Sequence, residues 1–509
     1  MGVAELSALI KRYGGNLPRY TSYPTAASFT ASVGFSHAQT WLSALPIGSP
    51  ISLYCHVPFC DELCRFCGCN TSVVRQEAQR RAYAETLKEE LHRVARLVGQ
   101  RRVQHIHFGG GTPTTLPLDA LRDIMQTIAT LFTLDPNGEI AMELDPRHVP
   151  VEYPPVLGAL GFNRISLGVQ DINPQVQQVC GRLQSFEQTK NAVEQIRAAG
   201  IGGVNIDLIY GLPYQTQESV TQTALQIVTL KPERLAVFGY AHVPWKQKRQ
   251  QLMPEQALPD SAERLAQRAC LERVFEDAGY EKIGLDHYAL PTDSMACAAR
   301  AGTLHRNFQG YTVDTCQALI GVGASAVSML PQGFTQNHVA AAQYSRALAE
   351  SEHLPTARGV ARREEDRLRW AIIERLMCDL CVDLQNPFES CFCAQQDSQQ
   401  GAKALSSWTP EEGTNGALKW EKERAALEPF IQDELITLCG STINVTEKGR
   451  PFLRHIASVF DTYREELAQQ AQKQTKERAK EQAQKEMGKE NTLKNTSLKQ
   501  GAPCFSTSL

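Results

Sequence analysis

Residues Tyr54–Asn70 read YCHVPFCDELCRFCGCN, which puts five of the chain's fifteen cysteines into seventeen positions. Cys60, Cys64 and Cys67 are spaced C-x-x-x-C-x-x-C, on a loop that follows the apolar run ISLYCHVPF (51–59). Isolated cysteines such as Cys180, Cys270, Cys297, Cys316 and Cys439 read as small buried hydrophobes. A cluster this dense reads as a metal site instead. Structural zinc takes four ligands, normally as two separated pairs. Three thiolates on one loop beside Phe59 and Phe66 suit a 4Fe–4S cube whose fourth iron stays open to a ligand. An open iron is a place for chemistry.

Five further apolar runs repeat the pattern: VQHIHFGGG (103–111), EIAMELDP (139–146), NRISLGVQ (163–170), GVNIDLIYGLP (203–213) and RLAVFGYAHVP (234–244). Helix-competent stretches lie between them, among them Ala78–Val98 and Phe186–Ala199, the latter closed by Gly200. Strands alternating with helices build βαβ units, and their right-handed crossovers make a parallel sheet. Six units are too few for a closed eight-fold barrel, so the expected fold class is α/β, as a partial barrel or an open doubly wound sheet. The strand ends carry GGGTP, ELDP, GVQD, DLIYGLP and YAHVP. Parallel α/β folds bind ligands at those carboxyl ends.

The texture changes after about residue 360. Glu364–Leu380 and Glu421–Leu438 read as helices, and residues 443–464 as a short strand, a turn at Gly449 and a final helix. This describes a small α-rich domain of winged-helix type. Ala394–Gly416 reads as a polar loop, and the Lys, Glu, Gln and Ala-rich tail from Glu465 as solvated or disordered. Cys378, Cys381, Cys391 and Cys393 form a second cysteine group with zinc-like spacing, but Arg375–Leu384 reads as an amphipathic helix that would bury Cys378.

A net charge of −3 over 509 residues gives no global pull toward nucleic acid or an anionic membrane surface. No run approaches the roughly 18 apolar residues of a spanning helix. The opening MGVAELSALIKRYGG lacks the pattern of a secretory signal, and Leu6 stands where a myristoylation signal needs Ser or Thr. The expectation is a cytoplasmic protein with reduced thiols.

The cysteine spacing resembles the signature of the radical S-adenosylmethionine superfamily. More of the chain resembles the oxygen-independent coproporphyrinogen III oxidases: NLPRYTSYPTA (16–26), HFGGGTPT (107–114), ELDPR (143–147), GFNRISLGVQD (161–171), NIDLIYGLP (205–213), GLDHYA (284–289) and HRNFQGYT (305–312) occur in the family's order. The related heme-chaperone branch usually has phenylalanine where Cys69 stands and lacks the PRYTSYPTA stretch. The resemblance implies a partial (β/α)6 TIM-like radical SAM barrel over residues 51–360. An N-terminal segment (1–50) would contribute to the substrate site, a winged-helix-like domain would span 361–464, and the tail 465–509 would follow.

Carried over position by position, the family implies that Cys60, Cys64 and Cys67 ligate the cluster. Tyr54, Phe66, Gly110, Glu143 and Val327 match positions for a first S-adenosylmethionine. Gly111, Thr112, Gln170, Arg182, Asp207 and Ala241 match positions for a second. Glycine in GGG lets the backbone approach a ligand. Glu143 can accept from an ammonium group, Asp207 from ribose hydroxyls, and Arg182 can pair with a carboxylate. No Lys-Ser/Thr follows the glycines, so they are no nucleotide-phosphate loop. Cys55 stands where the family usually has an aliphatic residue, and strand alternation makes it a packed thiol opposite Tyr54.

The implied reaction is oxidative decarboxylation of two propionates of coproporphyrinogen III to vinyl groups, started by a 5′-deoxyadenosyl radical. Tyr54 and His56 are the catalytic candidates, with His56 as proton donor or relay. Arg19 and Arg306 are candidates for the substrate carboxylates. Tyr20, Tyr23 and Phe308 either line the ring face or fill the core. A reducing donor such as flavodoxin or ferredoxin is implied, with a monomeric enzyme, no nucleic acid and no membrane. Rival readings are a heme chaperone, an anaerobic heme-degrading methyltransferase, and a closed zinc or electron-transfer site. The last has no use for glycines and carboxylates at successive strand ends. No basic recognition helix stands out in the C-terminal domain, so a lid over the substrate is expected rather than DNA binding.

Overall fold

The structure, a computed structural model, describes residues 3–15, 17–390, 420–464 and 466–467. Its centre is a twelve-stranded sheet. The strands are β1 (Ile51–Val57), β2 (Arg102–Gly110), β3 (Thr133–Leu144), β4 (Arg164–Gln170), β5 (Gly203–Tyr210), β6 (Arg234–Gly239), β7 (Glu281–Ile283), β8 (His287–Ala289), β9 (Leu319–Val322), β10 (Val327–Leu330), β11 (Gly333–Asn337) and β12 (Thr356–Ala361). Strands β1 to β6 pair in chain order and all in parallel. This is the expected six-unit α/β core. Beyond the expected strands, β9 adds in parallel to the outer side of β1, and antiparallel β10, β11 and β12 extend that edge. Antiparallel β8 and β7 extend the other edge, beyond β6.

Parity along each strand separates two faces. Leu53, Cys55, Val57, Ile106, Phe108, Met142, Leu144, Ile165, Leu167, Ile206, Leu208 and Val237 share one core, packed against flanking helices such as Glu77–Val98 and Leu118–Leu131. Cys55 is fully buried there, as expected. The alternate positions, Tyr54, His56, His107, Glu143, Ser166, Asn205 and Asp207, fall on the inner face, and it is polar. Near the amino ends of the strands the inner face closes on itself. Arg164 pairs with Glu139 at 2.8 Å and with Asp293 at 3.0 Å, and Arg234 pairs with Asp293 at 2.7 Å. Burial works to raise Glu139, but the two guanidinium groups outweigh it and hold the carboxyl at about 2. The carboxyl ends are left for ligands.

The C-terminal elements are a helix (Asp366–Asp379), a helix (Glu421–Gln432), a short helix (Leu453–Ala457) and an antiparallel sheet in the order Cys381–Asp383, Thr442–Val445, Ile436–Cys439. The expected helix Glu421–Leu438 is therefore too long. It stops at Gln432 because Glu434 takes a left-handed backbone (φ 59°), and Ile436 enters a strand paired with Val445. Contacts group Met1–Phe460 into one compact unit and Asp461–Leu509 into another. Of the second cysteine group, Cys378 is buried in its helix and Cys381 is disulfide-bonded. Cys391, Cys393, the loop 394–416 and the tail beyond 467 lie outside the described residues. No helix among the described residues is long and apolar enough to cross a membrane.

Candidate active site

Strand β1 ends at Val57 because Pro58 has no N–H to continue the ladder. The chain then makes a short parallel pairing of Phe59–Cys60 with Ser72–Val73, and the intervening loop carries the cysteines. Cys60, Cys64 and Cys67 are free thiols, and each sulfur faces a donor. The Thr112 hydroxyl points at Cys60 Sγ (3.9 Å), an Arg182 Nη donates to Cys64 Sγ (3.3 Å), and the Cys69 N–H donates to Cys67 Sγ (3.4 Å). Donors aimed at sulfur suit thiolates bound to iron. Hydrogen bonding from Cys69, with the nearby Arg249 and Arg182, holds Cys67 below the usual thiol range. Burial pushes Cys60 up to about 11, so an arriving metal has to displace its proton. Among the described residues no three His, Cys, Asp or Glu side chains converge on one point as ligands of a single ion would. A cube asks each thiolate for a different iron, and three free thiols on one loop, each met by its own donor, suit that demand.

Tyr54 and His56, both inward on β1, are joined by a 3.0 Å hydrogen bond between the phenol and Nδ1. His56 Nε2 lies 3.3 Å from both the Asn70 carbonyl and the Ser325 hydroxyl. Burial lowers the His56 pKa. Gly110, at the end of β2, has φ +111°, and a Cβ there would meet the His56 ring at 2.4 Å. A Cβ on Gly111 would sit within 2.2 Å of the Phe59 carbonyl oxygen. Both are places only glycine fills. Glu143 accepts from the Gly110 N–H at 3.1 Å and lies 3.1 Å from His107 Nε2. Burial alone would raise this carboxyl, but those hydrogen bonds and the His107 charge bring it below its ordinary value.

Asp207, on β5, accepts from Asn205 (2.7 Å) and Ser166 (3.1 Å). Burial, reinforced by Glu143, pushes its pKa up to about 7. Arg182 is held by Asp145 at 3.0 and 3.1 Å, and its Nε is buried without a hydrogen-bond partner. Gln170, at the end of β4 with φ +71°, lines a small cavity together with Phe66, Arg182 and Leu212. A single amide ties the cysteine loop to the end of β6: Gln250 Nε2 donates to the Phe66 carbonyl (2.9 Å) and the Ala241 carbonyl (3.2 Å). Val327 opens β10, just after the turn whose Ser325 meets His56.

The structure separates the substrate-side candidates. Tyr20 and Tyr23 are 1% and 0% exposed and fill the core. Phe308 packs edge-on against Phe334 at 5.7 Å. Arg306 is 2% exposed and donates to the carbonyls of Tyr20 and Arg19, both at 3.1 Å, so it fastens the chain instead of facing a ligand. Arg19 pairs with Asp286 at 2.6 Å and lies over the Phe238 ring. Sequence reasoning missed His107, Asp145 and Ser325. ELDPR and HFGGGTPT carried signals for Asp145 and His107, but only tertiary contact identifies Ser325.

The Radical SAM superfamily pattern matches residues 54–227. The chain is 43% identical over 448 residues to the oxygen-independent coproporphyrinogen III oxidase of Bradyrhizobium diazoefficiens, covering 88% of this chain and 94% of that protein. It is 36% identical over 465 residues to the Salmonella typhimurium protein of the same name, covering 91% and 97%. The solved structure of Escherichia coli coproporphyrinogen III oxidase (HemN), described as a radical SAM enzyme, matches with a TM-score of 0.79 and 36% identity, over 90% of this chain and 98% of that one.

Proposed function

The chain belongs to the oxygen-independent coproporphyrinogen III oxidases of the radical SAM superfamily, and from that premise we propose how its residues serve the reaction. The reaction is oxidative decarboxylation of two propionates of coproporphyrinogen III, giving the two vinyl groups of protoporphyrinogen IX. A 4Fe–4S cluster and S-adenosylmethionine, when bound, supply the electron and the hydrogen-abstracting radical. Cys60, Cys64 and Cys67 would hold the cluster. Tyr54, Phe66, Gly110, Glu143 and Val327 would hold one S-adenosylmethionine, and Gly111, Thr112, Gln170, Arg182, Asp207 and Ala241 a second.

The chain's own groups divide the work. Glu143 offers a carboxylate to an ammonium at the cysteine end of the lumen. Gly110 and Gly111 leave room for main-chain approach where a Cβ would collide. His56, kept neutral by burial, can take a proton at one ring nitrogen while Tyr54 holds the other. Residues 1–50 complete the substrate side, 51–360 form the barrel, and 361–464 form the winged-helix-like domain. A small reducing donor such as flavodoxin or ferredoxin, a monomeric state and a cytoplasmic setting belong to the same reading.

The observation that carries it is the convergence of the cysteine loop, the GGG turn and Glu143 at the carboxyl ends of the strands, in a chain that spans its relatives nearly end to end. The test is anaerobic turnover of reconstituted protein with dithionite, S-adenosylmethionine and coproporphyrinogen III, with products separated as porphyrins. Protoporphyrin and a mono-vinyl intermediate are expected, and both should vanish with Cys64→Ala. Deoxyadenosine without any decarboxylated porphyrin would overturn the substrate; neither product from protein with an intact cluster would overturn the reaction.

A further inference from the structure

Residues Leu17–Tyr20 form a strap over the carboxyl ends of β5 and β6. Arg306 grips the carbonyls of Arg19 and Tyr20, and Arg454, from the C-terminal helix, donates to the Leu17 carbonyl at 3.2 Å. The strap lays the Arg19 guanidinium over Phe238, 4.4 Å from the ring centroid. Beside it, Arg264 donates to the Tyr240 carbonyl at 2.6 Å and passes 2.8 Å from the Cβ position of Gly211, just past the end of β5. Four guanidinium groups thus meet at the mouth, and the one carboxylate that ion-pairs any of them among the described residues is Asp286, on Arg19. Arg19 keeps 47% of its side chain exposed, so it is reachable.

Such a surplus of positive charge is costly when partly buried, unless an anion completes it. The strain is visible in Arg454, which burial and the neighbouring Arg19 both push below the ordinary guanidinium value. Glu143 and Asp207 lie on the inner face of β3 and β5, so cation-seeking groups sit in the lumen and anion-seeking groups at its mouth. Guanidinium forks bind carboxylates bidentately, and a tetracarboxylate macrocycle is a ligand with that charge.

We propose that Arg19, Arg264 and Arg454 form a cationic cradle for the propionate carboxylates of the tetrapyrrole, with Arg306 as a positioning residue that holds the strap. This rests on the reaction assigned above, and it adds two residues, Arg264 and Arg454, that no motif pointed to. The whole holoenzyme is titrated with coproporphyrin III and with its tetraamide, which keeps the ring and loses the charges, by fluorescence quenching. Arg264→Gln and Arg454→Gln should each weaken coproporphyrin III binding tenfold or more, leave tetraamide binding at the wild-type level, and be partly rescued by lysine. Wild-type affinity for coproporphyrin III should fall steeply with salt, and tetraamide affinity should not. The cradle is overturned if either glutamine variant binds coproporphyrin III like wild type, or if wild-type binding ignores salt. Normal turnover with an affinity indifferent to these arginines removes the cradle and keeps the reaction. Arginine-dependent binding without decarboxylation does the reverse.

Discussion

Gly110 shows how much a single position decides. Its φ of +111° is strained for any other residue, and a Cβ would strike the His56 ring at 2.4 Å. Gly110→Ala should cost about 1–3 kcal/mol of stability and weaken S-adenosylmethionine binding at least tenfold, read by denaturant titration and equilibrium dialysis. Asp207 makes a pH argument. Its folded pKa is raised from 3.8 to about 7, so the folded state holds the proton more tightly than the unfolded chain does. The favourable contribution is complete below about pH 4 and is lost as pH rises to about 7. Asp207→Asn removes that loss: relative to wild type, the variant should gain stability between pH 5 and pH 8, by a few kcal/mol at most. A melting-temperature difference that stays flat over that range would contradict the assignment. GGG and DLIYGLP announced both residues, because a glycine triplet and a lone acid at a strand end stand out in any reading. The Glu143 contacts that set both environments were not legible.

At the scale of elements, the helix Glu77–Val98 reaches across to the turn after β9. Glu90 is buried and accepts from the Gly323 N–H, the Asn337 amide and the Tyr344 hydroxyl, each at 2.7 Å. On the same helix, Tyr83 donates to the His56 carbonyl (2.7 Å) and accepts from the Ala324 N–H (2.9 Å). The helix thereby fixes the turn that carries Ser325 and leads into Val327. Glu90→Ala takes the acceptor from the buried Gly323 N–H and Tyr344 hydroxyl, leaves Asn337 only its bond to the Gly323 carbonyl, and should cost about 3 kcal/mol. S-adenosylmethionine affinity should fall along with stability, and unchanged affinity in a folded variant would show that the turn does not depend on the helix. Six parallel strands were readable because each is a long apolar run followed by a helix. Strands β7 to β12 were not, since three to six residues between turns carry too little periodicity. The helix Glu421–Gln432 was overextended because Ile436–Cys439 continues its apolar pattern while changing its backbone.

For the molecule within Met1–Phe460, the N-terminal helix (Val3–Tyr13) is latched to the C-terminal elements. Tyr13 stacks on Phe430 at 4.6 Å and donates to Asp433 at 2.7 Å. The strap that follows is therefore fastened on both sides. Tyr13→Ala should remove about 1–2 kcal/mol, expose residues 1–25 to limited proteolysis, and weaken porphyrin binding several-fold. A variant whose N-terminus stays protected would show the latch to be dispensable.

The sequence by itself determined what is local: the C-x-x-x-C-x-x-C loop, the apolar strands with polar ends, and the glycines at the end of β2. Chain neighbours set these properties, and spacing records them. The tertiary structure alone decided which charges are answered. Arg306 proved to be a fastener, and Arg454 meets Leu17 across 437 positions of chain. Coulomb forces and hydrogen bonds depend on distance through space, and the fold alone sets that distance.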